Sequence, residues 1–393
     1  MDTANIRVAF WHNTFAPYRV PLFQQLGAFD DIDLTVYYGS PKDRHRQWDV
    51  DFGSGYHHVL LPSLTIPGYP YKFNYTLFSE LLRQRYDVHI ASENELGCQL
   101  MFLAARYVKI PFIVWSEQID YQIVRDHRDY TVRKILQKIG PFLVRLLQSI
   151  VFYPLHCGAV AVKRHCDAYL AAEKKTEEHL RNLGAPGPFF RHGSTIDTMR
   201  FQQELQAESP ASIRQALGID DKLVILSVSY LQERKGVQYL IDAFLGMQRP
   251  NTVLLIVGDG EYASELHARV PTSQTDVMFM GHDEKTAKYY AIADIFVMPS
   301  FSDPWGLTVN EAMVAGQPVI TTCNVGAQEL IRGNGFVIPP RDSRALQEAL
   351  EQLVDDAALR QRMGQRSQEI MRAYTIEHTA SVCRQAIHAV LQR

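Results

Sequence analysis

Short apolar runs of strand length recur along the whole chain, and each is followed by a turn or by a segment with helical spacing. In the first half the runs predict strands at residues 6–10, 34–37, 57–61, 88–91, 112–115 and 159–162. In the second half they predict strands at residues 223–228, 252–257, 277–280, 295–298, 318–321 and 336–338. This alternation is typical of βαβ units and parallel sheets. The pattern therefore predicts an α/β chain with two doubly wound sheets.

A stretch rich in Gly, Pro and Ser, residues 184–221, separates the two blocks of strands and is expected to contain a linker. We place the boundary near Gly193, which gives domains at residues 1–193 and 194–374. Residues 375–393 have apolar positions at helical spacing and no strand after them. They predict a terminal helix that packs on one of the two domains, with the N-terminal domain as the candidate.

Charge and cysteine content exclude several classes of protein. The 393 residues carry 40 Lys plus Arg and 43 Asp plus Glu, a net charge of −3, so no global basic excess indicates a nucleic-acid partner. Five cysteines without a C-x-x-C pair argue against a disulfide scaffold or a zinc knuckle. The start of the chain lacks the features of a signal peptide, and no apolar run is long enough to span a membrane. We therefore expect a cytoplasmic protein.

The strongest chemical signal follows the predicted strand 295–298. Asp303 and Glu311 flank a loop that leads into a helix from about 308 to 315. Such a loop lies at the carboxyl edge of a parallel sheet, where backbone N–H groups and the helix dipole bind anions. A structural explanation is open for each acid, because Asp303 before Pro304 is a good N-cap and Thr308 with Glu311 fits a capping box.

A second signal is a pair of adjacent cations, Arg234 and Lys235, directly after the predicted strand 223–228. Two cations at a strand end can neutralise a diphosphate through charge-assisted hydrogen bonds without a metal. In isolation, such a sequence is more often a solvated turn.

Together these segments resemble the donor site of the retaining glycosyltransferases of family four, glycosyl transferases group 1. The string D-P-W-G-L followed by E-A-M-x-x-G-x-P-V, from Asp303 onward, is similar to their E-x7-E motif. The resemblance implies a GT-B fold, two Rossmann-like domains facing a cleft. It also implies that Glu311 binds the ribose and that Asp303, one methylene shorter than the usual glutamate, binds the sugar hydroxyls. The backbone amides that would hold the sugar and diphosphate are those of Trp305, Gly306 and Leu307.

The same resemblance assigns further residues on both domains. Lys235 matches the lysine that binds the diphosphate, and because the upstream arginine is replaced by Tyr230, its role falls to Arg234. A glycine turn below the nucleotide and a contact with the base are implied at Gly258, Gly260, Gly281 and His282. In the first domain, the loop after the first strand is similar to the acceptor-side loop, with candidates Tyr18 and Arg19. Glu117 is a candidate catalytic residue, close to where many members place a histidine beside the sugar.

Two other features have competing explanations. The letters Asp31-Ile32-Asp33 match the D-x-D motif that holds a divalent ion in another sugar-transfer fold, although acids at a turn are usually structural. Between residues 131 and 166 the sequence has six cations and no acid, and residues 131–150 predict a basic amphipathic helix. That helix would either lie on an anionic membrane surface or pack on the N-terminal sheet.

These observations predict a retaining, metal-independent enzyme that moves a hexosyl unit from a nucleoside-diphosphate sugar to a hydroxyl acceptor in polysaccharide or glycoconjugate biosynthesis. No cofactor and no metal are expected. The acceptor is expected to be lipid-linked, with the enzyme at the inner face of the membrane through residues 131–150. The alternatives are a sugar-nucleotide epimerase or hydrolase of the same fold, which would consume donor without an acceptor, and a non-catalytic nucleotide-sugar binder.

Overall fold

The computed structural model of the chain describes residues 5–41, 51–65, 72–93, 96–117 and 153–393. The chain divides into two compact units. The first comprises Met1–Gly193 and Ile376–Arg393, and the second comprises Ser194–Thr375. Each unit contains one parallel sheet with helices in its connections, so the predicted α/β class with two doubly wound sheets is confirmed.

The described strands and helices of the first unit follow in chain order. They are β1 (Ile6–His12), α1 (Val20–Gly27), β2 (Ile32–Tyr38), β3 (His57–Leu60), β4 (Leu64–Thr65), β5 (Lys72–Phe73), α2 (Leu77–Arg83), β6 (Val88–Ser92), α3 (Leu96–Val108), β7 (Phe112–Ser116), α4 (Tyr153–His165), β8 (Ala168–Ala171), α5 (Lys174–Asn182) and β9 (Phe189–Arg191). The sheet order is β3-β2-β1-β6-β7-β8-β9, with all pairs parallel, and β4 and β5 form a separate antiparallel pair.

The second unit repeats this plan. Its elements are α6 (Thr198–Leu205), α7 (Pro210–Leu217), β10 (Leu223–Val228), α8 (Val237–Met247), β11 (Thr252–Val257), α9 (Ala263–Arg269), β12 (Val277–Gly281), α10 (Ala287–Ile292), β13 (Ile295–Met298), α11 (Leu307–Val314), β14 (Val319–Thr322), β15 (Gly335–Ile338), α12 (Ser343–Asp355) and α13 (Ala357–Met371). The parallel sheet has the order β12-β11-β10-β13-β14-β15. The terminal helix α14 (Ile376–Leu391) belongs to the first unit.

The central strand β1 shows why the strands of the first unit are continuous apolar runs. Side chains alternate between the two faces of a strand. Val8 and Phe10 lie in a core cluster with residues of α1 and α14, whereas Ala9 and Trp11 lie in a second cluster with residues of α2 and α3. Because helices cover both faces of this sheet, apolar side chains are required at successive positions and not at alternate ones.

The terminal helix is held to the first unit by a core contact and by an ion-pair cluster. Ile387 is fully buried in the cluster that contains β1. The Asp31 carboxylate accepts hydrogen bonds from Arg384 Nε at 2.9 Å and Nη2 at 3.0 Å, and His388 Nε2 lies 2.7 Å from it. Burial alone would raise the pKa of Asp31, but these partners outweigh it and hold the pKa below its usual value. In this structure the first acid of the D-x-D letters therefore anchors a helix.

In the main sheet of the first unit, one predicted strand is wrong and two strands were missed, and the separate pair β4–β5 was not predicted. Residues 159–162 lie inside α4. Val162 and Lys163 are buried side by side, and Ala161 and Arg164 on either side are exposed, which is the burial pattern of a helix and not of a strand. The missed strands β8 and β9 have only four and three residues, which is too short to show a periodicity. The stretch 184–221 that predicts a linker contains β9, α6 and α7, so its Gly and Pro residues mark turns between short elements.

A pair of substitutions separates the structural explanation of the D-x-D letters from a metal site. Asp31→Ala should lower the free energy of unfolding by about 1–2 kcal/mol, since it removes a bidentate, partly exposed ion pair. Asp33→Ala should change it by less than about 0.5 kcal/mol, because the Asp33 side chain is 43% exposed and His57 Nε2 lies 3.9 Å from its carboxylate. Urea unfolding measures both. If Mn²⁺ stabilised the unsubstituted protein against urea but stabilised neither variant, the result would contradict the structural explanation.

Candidate functional site

The strand order of the second unit creates a crevice between β10 and β13. The sheet continues from β10 to β11 and β12 on one side and from β13 to β14 and β15 on the other. Loops at the carboxyl ends of β10 and β13 therefore leave in opposite directions, and ligands of open parallel sheets bind at such a reversal point. The two signals found in the sequence lie on these two loops, because Arg234 and Lys235 follow β10 and Asp303 follows β13.

The two loops meet in a nearly buried cluster of charge. Lys235 Nζ donates to Asp303 Oδ2 at 2.5 Å, and Arg234 Nη1 lies 3.6 Å from the same oxygen. The side chain of Asp303 is 11% exposed and that of Lys235 is 13% exposed. Burial alone would raise the pKa of Asp303, but the charges of Lys235 and Arg234 outweigh it, so the pKa lies below its usual value. The carboxylate is therefore ionised, and the three side chains together carry one net positive charge.

Arg234 also ties the two loops together. Its guanidinium donates to the Ser302 carbonyl at 2.7 Å and to Gln232 Oε1 at 3.1 Å, and its own carbonyl accepts from Phe301 N at 3.0 Å. These contacts make Arg234 a part of the loop scaffold as well as a source of positive charge.

The loop after β13 is shaped for close approach of a ligand to the backbone. Trp305 N donates to Asp303 Oδ1 at 3.3 Å, and the buried indole of Trp305 donates to Asn310 Oδ1 at 2.8 Å. Gly306 caps α11 with φ 94°, and a Cβ there would lie 2.6 Å from Met298 Sδ. The first amides of a helix have no acceptor within it, so α11 presents N–H groups directly after this loop.

This geometry differs from both structural alternatives for the two acids. Helix α11 begins at Leu307 with Gly306 as its N-cap, and no side chain caps it. Asp303 is therefore not the N-cap, and Glu311 lies at the fifth position of the helix, where it cannot complete a capping box. The capping explanation of Asp303 and Glu311 is wrong.

The loop after β14 supports Asp303, and the sequence analysis missed it. Asp303 N donates to the Asn324 carbonyl at 3.2 Å, and Gly326 N donates to the Asp303 carbonyl at 3.2 Å. A Cβ on Gly326 would lie 2.2 Å from the Pro304 carbonyl oxygen. The only signal in the sequence was a glycine shortly after a strand, which is too common to indicate a role.

Glu311 has an environment opposite to that of Asp303. It is half-buried on α11, and burial raises its pKa to about 7. The hydroxyl of Tyr290 lowers this pKa in part, and the negative charge of Glu204 raises it further. Among the described residues no cation offsets this burial, so the pKa of Glu311 lies near neutral pH, whereas Asp303 stays ionised.

The remaining donor-side candidates lie on the loops after β11 and β12. Gly258 has φ 131°, and a Cβ there would lie 1.9 Å from the Ser229 carbonyl oxygen, so only glycine allows this approach to the loop after β10. At Gly260 a Cβ would lie 2.3 Å from the Leu231 carbonyl oxygen. Gly281 accepts from Gly258 N at 2.7 Å, while His282 is exposed at the end of β12, two strands from β10.

The candidates of the first unit also lie together. Arg19 is 8% exposed and donates to Glu117, and its guanidinium lies 4.8 Å from the Trp115 ring and 5.5 Å from the Tyr18 ring. The sequence analysis missed His192, which stacks on Trp115 at 3.8 Å and is fully buried. Burial lowers the pKa of His192 to about 3, so its ring is neutral. No motif in the sequence singled it out.

The sequence also raised the questions of a basic amphipathic helix, a membrane span and a metal site. The basic segment 131–150 lies outside the described residues. Within the described part of the chain, no helix is long and apolar enough to cross a bilayer. In the same ranges, no group of three His, Cys, Asp or Glu side chains is arranged to hold a metal ion.

Comparison with known proteins gives the class of the second unit. Residues 210–370 match the model of the family Glycosyl transferases group 1. The lipopolysaccharide core biosynthesis glycosyltransferase LpsE of Rhizobium meliloti is 33% identical over 155 residues, 38% of this chain and 45% of that protein. The GDP-mannose-dependent monoacylated alpha-(1-6)-phosphatidylinositol monomannoside mannosyltransferase of Corynebacterium glutamicum is 35% identical over 191 residues, 45% and 50% of the two chains. The chain spans about half the length of these curated relatives.

The fold is shared over nearly the whole length with solved structures. The crystal structure of Anabaena Alr3699/HepE in complex with UDP has a TM-score of 0.73 and 17% identity and covers 98% of this chain and 100% of that chain. The complex of the same protein with UDP-glucose has a TM-score of 0.70. The predicted pair of Rossmann-like domains is thus confirmed, and within the second of them residues 210–370 match the glycosyl transferases group 1 model.

Proposed function

We propose that this protein is a retaining glycosyltransferase of family four that transfers a hexosyl unit from a nucleoside-diphosphate sugar to a hydroxyl group. The observation that carries the proposal is the Lys235–Asp303 pair at the crevice between β10 and β13, next to the N-terminus of α11. The family match of residues 210–370 and the UDP-glucose complex of the Anabaena protein support the choice of donor.

The net positive charge of the cluster suits a diphosphate. In the free protein, Asp303 occupies one hydrogen-bonding direction of the Lys235 ammonium group. An ammonium group has three donors, so it can hold a phosphate oxygen while Asp303 accepts hydrogen bonds from sugar hydroxyls. The amides at Gly306 and Leu307 add uncharged donors, and the ionised form of Glu311 accepts from the ribose hydroxyls. Each part of the donor thus meets a group of complementary chemistry.

The proposed reaction needs no metal. As the bond between the anomeric carbon and the diphosphate oxygen breaks, negative charge grows on the leaving group, and Lys235 and Arg234 stabilise it. The acceptor oxygen attacks from the face that the diphosphate leaves, and its proton passes to the leaving phosphate oxygen. The new glycosidic bond therefore keeps the anomeric configuration.

The first unit is the proposed acceptor-binding domain, with Tyr18, Arg19 and Glu117 as contact residues. Arg19 and Glu117 neutralise each other, and His192 beside them is uncharged. We propose a lipid-linked acceptor, in glycoconjugate or polysaccharide biosynthesis, reached at the anionic inner face of the membrane. The names of the two relatives, which refer to lipopolysaccharide core biosynthesis and to a monoacylated phosphatidylinositol monomannoside, support this class of acceptor.

Charge removal at the crevice tests the donor site. Lys235→Ala should lower kcat for sugar transfer by about 100-fold or more, because it removes charge that the transition state needs and leaves Asp303 without its closest cation. The activity of the unsubstituted protein should persist in EDTA. Transfer assays with UDP-, GDP- and ADP-sugars, with and without EDTA, measure both effects.

The matched control is Lys222→Ala, which removes a lysine at the amino end of β10 and breaks its ion pair with Asp276. It should leave kcat nearly unchanged. An absolute requirement for Mg²⁺ or Mn²⁺ would contradict the metal-free reaction. Donor turnover at the same rate with and without any acceptor would indicate the hydrolase or epimerase alternative.

A sedimentation experiment tests the membrane part of the proposal. Each basic residue near an anionic surface contributes about 1 kcal/mol, so Arg133, Lys134, Lys138 and Arg145 together favour binding of residues 131–150. The protein should pellet with vesicles that contain about 30% anionic lipid. A folded variant with Lys134, Lys138 and Arg145 all changed to Glu should stay in the supernatant. Equal recovery of both proteins in the supernatant would contradict membrane binding through this segment.

A further inference from the structure

Tyr290 carries a polar group that the packing of the second unit does not explain. Its side chain is 1% exposed, and its hydroxyl has no hydrogen-bond partner among the described residues. Its ring is fixed between Phe201, at a centroid distance of 5.5 Å, and Phe296, at 5.6 Å. A buried hydroxyl without a partner costs about 1–3 kcal/mol, so phenylalanine would be the more stable residue here. The hydroxyl therefore needs an explanation outside the packing.

The group that this hydroxyl acts on is Glu311. Helix α10, which carries Tyr290, packs against α11, which carries Glu311, and both helices contact α6. Across this contact the Tyr290 hydroxyl lies close enough to the Glu311 carboxyl to lower its pKa by hydrogen bonding, although the two atoms do not form a hydrogen bond of ordinary geometry. A third group that acts on Glu311 is Glu204 on α6, whose carboxylate Oε1 lies 2.8 Å from Arg200 Nε. In the described ranges, Tyr290 and Glu204 are the two titratable side chains that act on Glu311.

We propose that Tyr290 is the positioning residue of Glu311: its phenol donates a hydrogen bond to the ionised carboxylate and holds it in the orientation that accepts the ribose hydroxyls of the donor. This inference rests on the proposed function of Glu311. A phenol is suited to the task, because it can donate a proton to a carboxylate and stays neutral itself.

The charges around Glu311 determine the direction in which each substitution shifts the pH dependence of nucleotide binding. Burial disfavours the ionised carboxylate, and Glu204 disfavours it further, whereas the Tyr290 hydroxyl favours it. The ionised form is the stronger acceptor for the two ribose hydroxyls, so nucleotide affinity should fall as the pH falls through about 7. Loss of the phenol should move that midpoint to higher pH, and loss of the Glu204 charge should move it to lower pH.

The experiment is a titration of the full chain with UDP, GDP and ADP by calorimetry over a range of pH. Tyr290→Phe keeps the ring and its packing, and a lost charge-assisted hydrogen bond should raise the midpoint by about one pH unit. At pH 7 this weakens nucleotide binding by about fivefold, with little change at high pH. Glu204→Gln should shift the midpoint in the opposite direction. Because the nucleotides titrate equally in all variants, differences between variants report on the protein.

The matched control is Tyr289→Phe, the same change at the preceding residue of α10. Tyr289 is also buried, but its hydroxyl donates to Asp283 at 3.0 Å. This variant should keep the midpoint of the unsubstituted protein. A loss of affinity in Tyr290→Phe that is equal at every pH, or an equal shift in both tyrosine variants, would overturn the positioning role.

A second readout separates this inference from the proposed function. In protein with ¹³C-labelled glutamate side chains, the Glu311 carboxyl signal is assigned by its absence in Glu311→Gln and followed against pH without any nucleotide. The pH midpoint of the Glu311 signal should rise in Tyr290→Phe. If it rises although no nucleotide binds, the proposed donor site fails but the coupling between Tyr290 and Glu311 stands. An unchanged Glu311 midpoint in Tyr290→Phe overturns the inference whatever the nucleotide data show.

Discussion

The ion pair between Lys235 and Asp303 depends on the reversal of strand order between β10 and β13, and the arrangement of the other site residues follows from it. The two residues are 68 positions apart in the sequence, yet the sheet brings them to 2.5 Å. Burying two charges is costly unless they are paired and hydrogen-bonded. The neighbouring Arg234 and the Trp305 amide satisfy that condition for the Asp303 carboxylate, and the loop after β14 holds its backbone. The crevice is thus fixed before any ligand enters it.

The two acids of the donor motif have opposite electrostatic surroundings. Cations and a backbone amide hold Asp303 in its ionised form, whereas Glu311 lies among a phenol, a carboxylate and apolar atoms. Two carboxylates eight residues apart therefore give one permanent charge and one charge that depends on pH. In the proposed reaction the permanent charge is next to the sugar and the diphosphate, and the variable one is at the ribose.

Sequence alone predicted the parts of this molecule that depend on local pattern. The strands at 223–228, 252–257 and 295–298 agree with β10, β11 and β13 to the residue, because each is a mostly apolar run bounded by polar residues. The pattern could not predict β9, a strand of three residues, or the support of Asp303 by Asn324 and Gly326. Those features depend on which strands become neighbours, and that information is not contained in local spacing.

The candidate site was likewise predicted only where it depends on local pattern. The loop pattern and the family resemblance singled out Asp303 and Lys235. Only the packing of α10 on α11 revealed Tyr290, and only the position of β9 beside β8 brought His192 to Trp115. Both residues are buried and lie outside any motif. Their partners come from elements distant in sequence.

The most direct test of the donor site is a crystal structure of the full chain with the nucleoside-diphosphate sugar that it binds most tightly. The account predicts diphosphate oxygens within hydrogen-bond distance of Lys235 Nζ and of the backbone amides at Gly306 and Leu307, with the ribose on Glu311. A diphosphate held through a divalent ion, or bound away from the crevice between β10 and β13, would contradict it.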